Sequence, residues 1–484
     1  MHIKRELIPQ YILDIANILH SNNFESNLVG GSIRDILIGR IPNDYDLTTN
    51  ATPQELISLF PSSIQTGIKF GTVKVLVEDN GEMKVVDITT YRSEEDYIKG
   101  RWPSKVIFTK TIHEDLSRRD FTINAIALNL NTYEIIDPFN GEKDIQDKII
   151  KSVGNPLDRF LEDGLRPFRA CRLASTLEFQ IEDNTFEAIP KSLNNAIQIS
   201  IERIRDEFVR LVMESPIPSI GVELMRKSGL LNIFMPELLE GYKMMQNTFH
   251  EFDVYHHLLL TMDLAPKDIR LAALLHDIAK PRTKSGDHYY GHDIEGEKMA
   301  RQIMTRMKFS KNEMEKICRL VRWHMFYYPE NKYDEQLRTE SEQTVEKDAI
   351  EQQRKNHRNI QMAQGWEDNA IRRFVSRIGG IDNINELIEL RIADASSTNS
   401  RHIYDSDEIR RLQGRIADVL NKDNALKITD LNIKGQELID LGIERGPQMK
   451  KIFDELLEII IEDPSMNTNE QLRIEVIKLK ENLN

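Results

Sequence analysis

The chain has 484 residues, 40% hydrophobic and 29% charged, with a formal net charge of −14. That balance is ordinary for a globular protein of roughly two to four domains, and it argues against indiscriminate nucleic-acid binding without excluding a local basic groove. Only Cys171 and Cys318 are present, no apolar run reaches membrane-spanning length, and MHIKRELIPQ lacks the apolar core of a signal peptide, which argues against a disulfide scaffold or zinc–thiolate site and fits a cytoplasmic protein with no membrane partner.

In chain order, Ile8, Ile12, Ile15, Ala16 and Leu19 recur at helical spacing and predict an amphipathic helix ending near residues 22–23. Next comes VGGSIRDILIGRIPNDYDL at 29–47. Gly30 and Gly31 let backbone N–H groups approach a phosphate, and Ser32 is placed to open a helix whose N-terminus binds anions. With Tyr45 in a strand, alternation puts Asp44 and Asp46 on one face, a candidate Mg²⁺ pair. From 28 to about 137, β-rich runs dominate, at 72–78, 84–91 and 125–129, the first two flanking the hairpin signal Asp79-Asn80-Gly81.

Period-2 alternation along VVDITTYR (85–92) places Asp87 with Thr89 and Tyr91, as a third carboxylate or equally a solvated strand residue. The following SEEDYIKGRWPSKVIF reads as a charged, mobile loop. In EDLSRRDFTINAIALN (114–129), Arg118, Arg119 and Asp120 precede a buried run; the arginine fork suits triphosphate oxygens, although adjacent arginines are also common surface charge. In RFLEDGLRPFRACRLAS (159–175), Asp163 is placed to cap a helix that tolerates Pro167 in its first turn, and Asp163, Arg166, Arg169 and Arg172 recur every third residue as a ridge. A carboxylate beside a guanidinium suits the edge of a nucleobase; the alternative is a set of helix ion pairs such as Glu162–Arg166. Beyond about 150 the periodicity is helical to the end, apart from a stretch at 330–361 nearly free of large apolar residues, which reads as an exposed insertion.

VGGSIRDILIGRIPNDYDL, RRDFTINAIA and EDGLRPFRACRLAS resemble, in order and spacing, the signature segments of class II tRNA nucleotidyltransferases and the related bacterial poly(A) polymerases. The resemblance implies an α+β polymerase-β-like head with a small mixed or antiparallel sheet (1–150), then an all-α neck that selects nucleotide and binds RNA (151–245), an HD-type metal domain (246–400) and a helical tRNA-binding tail (401–484). It further implies that Asp44 and Asp46 bind the catalytic Mg²⁺ ions, with Gly31 and Arg34 near the incoming triphosphate. Arg119, or its neighbour Arg118, would contact the nucleotide. Asp163 and Arg166 would form a protein template for CTP or ATP, supported by Arg169 and Arg172.

His257, His276, Asp277, His292, His324 and Asp394 follow the order of HD-type metal phosphohydrolases, with His256 as the alternative to His257. Imidazole and carboxylate ligands imply a divalent transition metal (Mn, Ni or Fe) and a phosphatase or cyclic-phosphodiesterase activity, against the alternative of structural histidines. The segment 426–472 resembles the tail of tRNA nucleotidyltransferases with an HD domain; its Gly446–Pro447 turn and Lys450–Lys451 suit phosphates. Arg92, Tyr97, Arg101 and Pro103 match the loop pattern of enzymes that switch from C to A. The expected activity is therefore complete CCA addition to tRNA from CTP and ATP, with no protein partner evident. The competing readings are poly(A) polymerase, partial CC- or A-addition and, from another class, an HD metallophosphohydrolase whose N-terminal domain merely binds nucleotide.

Overall fold

The structure, a computed structural model, describes residues 3, 5–65, 67–98, 102–245, 252–286, 288–326, 368–397, 406–422 and 427–483. Arg101 and the stretch 330–361 lie outside the described residues. The chain forms two compact units, Met1–Pro236 and Glu237–Asn484.

The first unit opens with α1 (Gln10–Ser21), which buries Ile12, Ile15, Ala16 and Leu19 as the helical spacing predicts. The strands β1 (Asn27–Val29), β2 (Asp46–Thr49), β3 (Ser63–Ile64), β4 (Thr72–Asp79), β5 (Glu82–Thr90), β8 (Ala127–Asn129) and β9 (Ile135–Ile136) form one sheet in the order β3-β4-β5-β2-β1-β8-β9. Only β2 and β5 pair in parallel; the other neighbours are antiparallel, so the sheet is mixed. The β4–β5 turn places Asn80 and Gly81 at φ 51° and 84°, the left-handed pair of a type I′ hairpin. Helices α2 (Gly31–Leu37), α3 (Pro53–Leu59) and α4 (Ile112–Ser117) connect the strands. Val29, Tyr91, Ile112, Leu116, Ala125 and Ala127 pack as one core cluster.

The segment read as a mobile loop is an antiparallel hairpin of β6 (Arg92–Ile98) and β7 (Trp102–Phe108), with Tyr97 opposite Pro103. Its Tyr, Ile, Trp, Val and Phe residues favour pairing, and the ladder satisfies backbone groups that a loop would leave to water.

Small elements α5 (Gly141–Gln146) and β10 (Ile149–Ile150) lead to the helices α6 (Pro156–Glu162), α7 (Arg166–Leu177), α8 (Asp183–Lys191), α9 (Leu193–Ala196), α10 (Ile201–Glu214), α11 (Pro218–Ser228) and α12 (Leu231–Phe234), with β11 (Gln180–Ile181) beside β10. Phe168, Phe208 and Phe234 meet edge to face at centroid distances of 6.0 and 5.1 Å, anchoring α7 among its neighbours.

Among its described residues the second unit is almost wholly helical: α13 (Val254–Leu264), α14 (Arg270–Leu275), α15 (Lys280–Thr283), the short hairpin β12 (Lys284–Ser285) and β13 (His288–Tyr289), α16 (His292–Arg306) and α17 (Lys311–Trp323). Helices Asp368–Ile378, Ile381–Ser396 and Ser406–Lys422 follow. The last helices, Pro447–Glu462 and Asn469–Leu483, enclose a core of Leu438, Ile452, Leu456, Ile460, Leu472 and Val476. No helix among the described residues is long and apolar enough to cross a membrane.

Candidate functional site

In the head, Gly30 joins β1 to α2 at φ 76°, a conformation that strains residues with a Cβ. A Cβ there would lie 3.1 Å from Arg119 Nη1 and 4.0 Å from Asp46 Oδ2, so Gly30, Arg119 and Asp46 converge on one point. Helix α2 starts at Gly31 rather than Ser32, whose hydroxyl donates to the Val29 carbonyl at 2.9 Å. With only seven residues in α2, its dipole is small, and positive charge must come from side chains. Arg34 donates to Asp35 through Nε and Nη2 at 2.9 and 2.7 Å and to Asn124 Oδ1 at 2.9 Å. Arg119 reaches Asp115 through Nη2 at 3.2 Å, while its Nε is buried without a hydrogen-bond partner.

Asp46 is the first residue of β2, and Asp44 precedes the strand. Strand alternation therefore does not align the pair; the turn before β2 sets Asp44. The parallel β2–β5 register pairs Leu47 with Ile88, which brings Asp46 beside Asp87. Asp87 is held across the β4–β5 ladder by Lys74, whose Nζ lies 2.8 and 2.9 Å from its two oxygens. Although Asp46 has an exposed face, protein crowding desolvates its carboxyl group and lifts its pKa; Arg119 and Lys74 oppose the shift, while Asp87 and Asp44 reinforce it. Like charges gathered where a fork of arginine donors is partly unpartnered suit a divalent cation and a polyphosphate.

The arginine ridge is buried at Arg166 and Arg172 and partly exposed at Asp163 and Arg169. Arg166 and Arg172 are 7% and 5% exposed. Arg166 donates to Glu162 at 2.7 Å, to the Arg159 carbonyl at 3.0 Å and to the Arg118 carbonyl at 2.8 Å, so the Glu162–Arg166 ion pair is present. Arg169 binds Asp120 at 2.8 Å, and Arg172 binds Glu207 at 2.6 Å. Burial alone would raise the Asp120 pKa, but Arg169 chiefly, with Asn124 and Arg166, holds it far below the usual carboxylate range. Asp163 accepts from the Leu165 N–H at 3.0 Å, and α7 begins only at Arg166. Both oxygens of Asp163 receive Arg203, at 3.3 and 3.0 Å.

Sequence reasoning missed Asp115, Asn124, Arg203 and Glu207. Asp115 carried a signal, since it lies three and four residues before Arg118 and Arg119. Glu207 is an acid on the buried face of α10. Nothing local marks Arg203 as the partner of Asp163.

In the second unit, all six residues of the HD pattern come together. His257, His276, Asp277 and Asp394 offer ligand atoms within 4.8 Å of one another, as do Asp277, His292 and His324. In the first group His257 Nε2 lies 3.3 Å from His276 Nε2, 3.4 Å from Asp277 Oδ2 and 3.2 Å from Asp394 Oδ1. In the second, Asp277 Oδ1 lies 3.3 Å from His292 Nε2 and 3.4 Å from His324 Nε2. Ligands on a metal with bonds of about 2 Å sit roughly 3–3.5 Å apart, matching these spacings.

The imidazoles are fixed from behind. Nδ1 of His276, His292 and His324 donates to the carbonyls of Ala273, Tyr289 and Val321 at 2.7, 2.6 and 2.6 Å, and His257 Nδ1 meets Ser397 Oγ at 3.0 Å. A carbonyl accepts only a proton, so Nε2 keeps its lone pair for a cation. Asp277 Oδ1, His292 Nε2 and His324 Nε2 are buried with no hydrogen-bond partner, a combination that an ion would satisfy. Burial disfavours charge on His276, yet Asp277 and Asp394 outweigh it and lift its pKa to about 10; the potential that attracts a proton there attracts a metal as well. The donor set therefore fits divalent metal, and Asp277, with one oxygen in each group, can be shared by two ions. His256 points away, its Nδ1 2.7 Å from Asp253.

The poly A polymerase head domain matches residues 26–151, a probable RNA and SrmB-binding site of polymerase A matches 178–241, and the HD domain matches 250–399. A CCA-adding enzyme of Lactococcus lactis subsp. lactis (strain IL1403) is 42% identical over 242 residues, 49% of this chain and 60% of that protein. One of Staphylococcus epidermidis (strain ATCC 12228 / FDA PCI 1200) is 36% identical over 263 residues, 54% and 63% of the two chains. The chain thus spans about three fifths of the length of the curated relatives it matches. The Bacillus stearothermophilus CCA-adding enzyme in complex with CTP superposes with a TM-score of 0.68 at 22% identity, covering 99% of both chains. At that identity the likeness establishes the fold. Fold and domains together define a polymerase-β-like nucleotidyltransferase head followed by a helical body that carries an HD domain. The chain thus carries regions similar to a poly A polymerase head, to that polymerase's probable RNA-binding site and to an HD domain, and about half of it is similar to CCA-adding enzymes.

Proposed function

We propose that this chain builds C, C and A onto tRNA 3′ ends from CTP and ATP in the cytoplasm, with head, neck, HD body and tail divided at about residues 150, 245 and 400. The convergence of Asp46, Gly30 and Arg119 Nη1, with Asp87 and Asp44 near enough to act on Asp46, carries the reading, and the CCA-adding relatives support it. Asp44 and Asp46 would hold Mg²⁺. Bound there, Mg²⁺ would activate the tRNA 3′-hydroxyl and neutralise the triphosphate. Arg119 and Arg118 offer forked donors to the phosphate oxygens, and Gly30 keeps their approach open. Asp163 and Arg166 would read the base edge. Each is locked by packing and ion pairs, Asp163 by Arg203 and Arg166 by Glu162 and the Arg118 carbonyl, so their orientation is set before nucleotide arrives. Arg169 and Arg172 support that helix through Asp120 and Glu207.

The test incubates tRNA lacking its 3′ end with CTP and ATP, alone and together. Ordered C, C and A addition is expected. Long A tracts would mark a poly(A) polymerase, CC or A alone a partial enzyme, and no addition would leave a phosphohydrolase with a nucleotide-binding head.

The six converging HD residues favour a second activity, hydrolysis of phosphate esters at a centre holding Mn, Ni or Fe. Metal analysis of the purified protein and turnover of 2′,3′-cyclic nucleotide test it; a protein free of transition metal and inert toward phosphate esters would reduce the cluster to a structural role.

A further inference from the structure

Asp115 has no part in the roles above, yet its side chain on α4 is completely buried and four donors reach it. Arg118 Nε and Nη2 lie 3.1 and 2.7 Å from Oδ1, and the Arg92 N–H lies 3.4 Å from the same oxygen. Arg119 Nη2 lies 3.2 Å from Oδ2. Burial alone would raise its pKa, but Arg118 and Arg119 outweigh that and hold the carboxyl below its ordinary range. A buried carboxylate of this kind survives only because it is paired, and its partners are Arg119, which reaches the head site, and the adjacent Arg118.

Each of those arginines has a second engagement. Arg119 Nη1 lies beside Gly30 and toward Asp46. Arg118 Nε also donates to the Arg92 carbonyl at 3.1 Å, and the Arg118 carbonyl receives Arg166 Nη2 at 2.8 Å. One carboxylate therefore ties together the guanidinium at the phosphate cradle, the residue that anchors Arg166, and the first residue of β6. A long arginine side chain left unheld would keep about 2 kcal/mol of rotamer entropy and lose it only on meeting a ligand.

We propose that Asp115 is a positioning residue for the triphosphate: it holds Arg118 and Arg119 as a preformed fork, so polyphosphate binds without having to order them. The inference rests on the nucleotidyl-transfer reading of the head site. The test uses the full chain and its Asp115→Asn variant, titrated calorimetrically with CTP and with inorganic tripolyphosphate in Mg²⁺ buffer, alongside steady-state CTP addition. Both affinities are expected to fall about tenfold, with the KM for CTP rising in step, tRNA affinity unchanged, and little further loss when Asp115→Asn is combined with Arg119→Ala. Asp115→Glu retains the charge needed for folding but displaces it by one methylene, and is expected to lose about threefold. Unchanged tripolyphosphate affinity in folded Asp115→Asn or Asp115→Glu, a fully additive loss in the Arg119→Ala background, or a wild-type protein that binds neither ligand would each overturn the inference. A wild-type protein that adds no nucleotide, while Asp115→Asn still weakens tripolyphosphate, would overturn only the transfer reading.

Discussion

In the head, Asp44 and Asp46 stand at the exposed start of β2, and among the described residues no donor of the chain holds either carboxylate. In the body, His257, His276, Asp277 and His324 are at most 2% exposed, and each imidazole of the cluster is turned by a partner on Nδ1. The first arrangement is open, hard and short of ligands, as suits a cation that arrives with a polyphosphate and departs with one. The second is closed, imidazole-rich and oriented from behind, as suits a cation that stays. On the proposed function, one chain would use carboxylates in two ways: as a landing place for charge brought by a substrate, and as a bridge inside a resident centre.

The sharpest way to break this contrast is Asp46→Ala. CTP addition is expected to fall by at least about a thousandfold, roughly 4 kcal/mol of transition-state stabilisation, with tRNA affinity and bound transition metal unchanged; single-turnover incorporation of labelled CTP measures it. Asp277→Ala should do the reverse, removing an oxygen from both ligand groups. Metal content by elemental analysis is expected to drop below about a tenth of wild type, while CTP addition per folded molecule persists. Loss of both activities together would show that the two centres are not separable.

A smaller effect comes from behind the body centre. Ser397→Ala takes away the hydroxyl that meets His257 Nδ1 at 3.0 Å and should weaken metal binding about tenfold, read by competition with a chelator. The smallest effect is acid sensitivity of the head. Asp115 and Asp120 have pKa values lowered by their arginine partners, so their contribution is fully present above about pH 5, where the unfolded groups are ionised too, and is lost as pH falls toward the folded values. Part of each contribution should be missing at pH 3, and Asp120→Asn should flatten that part of the stability profile measured by chemical denaturation.

Local features were legible in the sequence. The Asn80-Gly81 hairpin and the apolar face of α1 followed from residue types and spacings whose physics acts over a few positions, whereas the small mixed sheet was implied by the family resemblance. The six HD residues were legible as an ordered set, because imidazoles and carboxylates in that pattern resemble a known domain. Their division into two groups sharing Asp277 was not, since it depends on which oxygen each helix presents. At 163–172 the sequence left a base-reading ridge and a set of helix ion pairs both open, because a three-residue spacing of charge looks the same whether the face meets water or another helix; the Glu162–Arg166 pair is present. Arg172 is buried by Glu207, 35 residues on, and Asp163 is held by Arg203, 40 residues on.

The sequence by itself determined which chemistry is available: a carboxylate pair after a glycine turn and an arginine-rich segment, set by covalent composition and short-range periodicity, and imidazoles and carboxylates whose order resembles a known metal domain. The tertiary structure alone decided which of those groups are engaged. Arg169 and Arg172 are committed to acids and form a frame, Arg166 is held in place by Glu162 and two carbonyls, and Arg119 sets Nη1 beside Gly30 while its Nε is buried without a hydrogen-bond partner. The physical reason is that desolvation and ion pairing depend on what lies across a helix or a ladder in space, and spacing along one segment contains no record of the segment that will cover it.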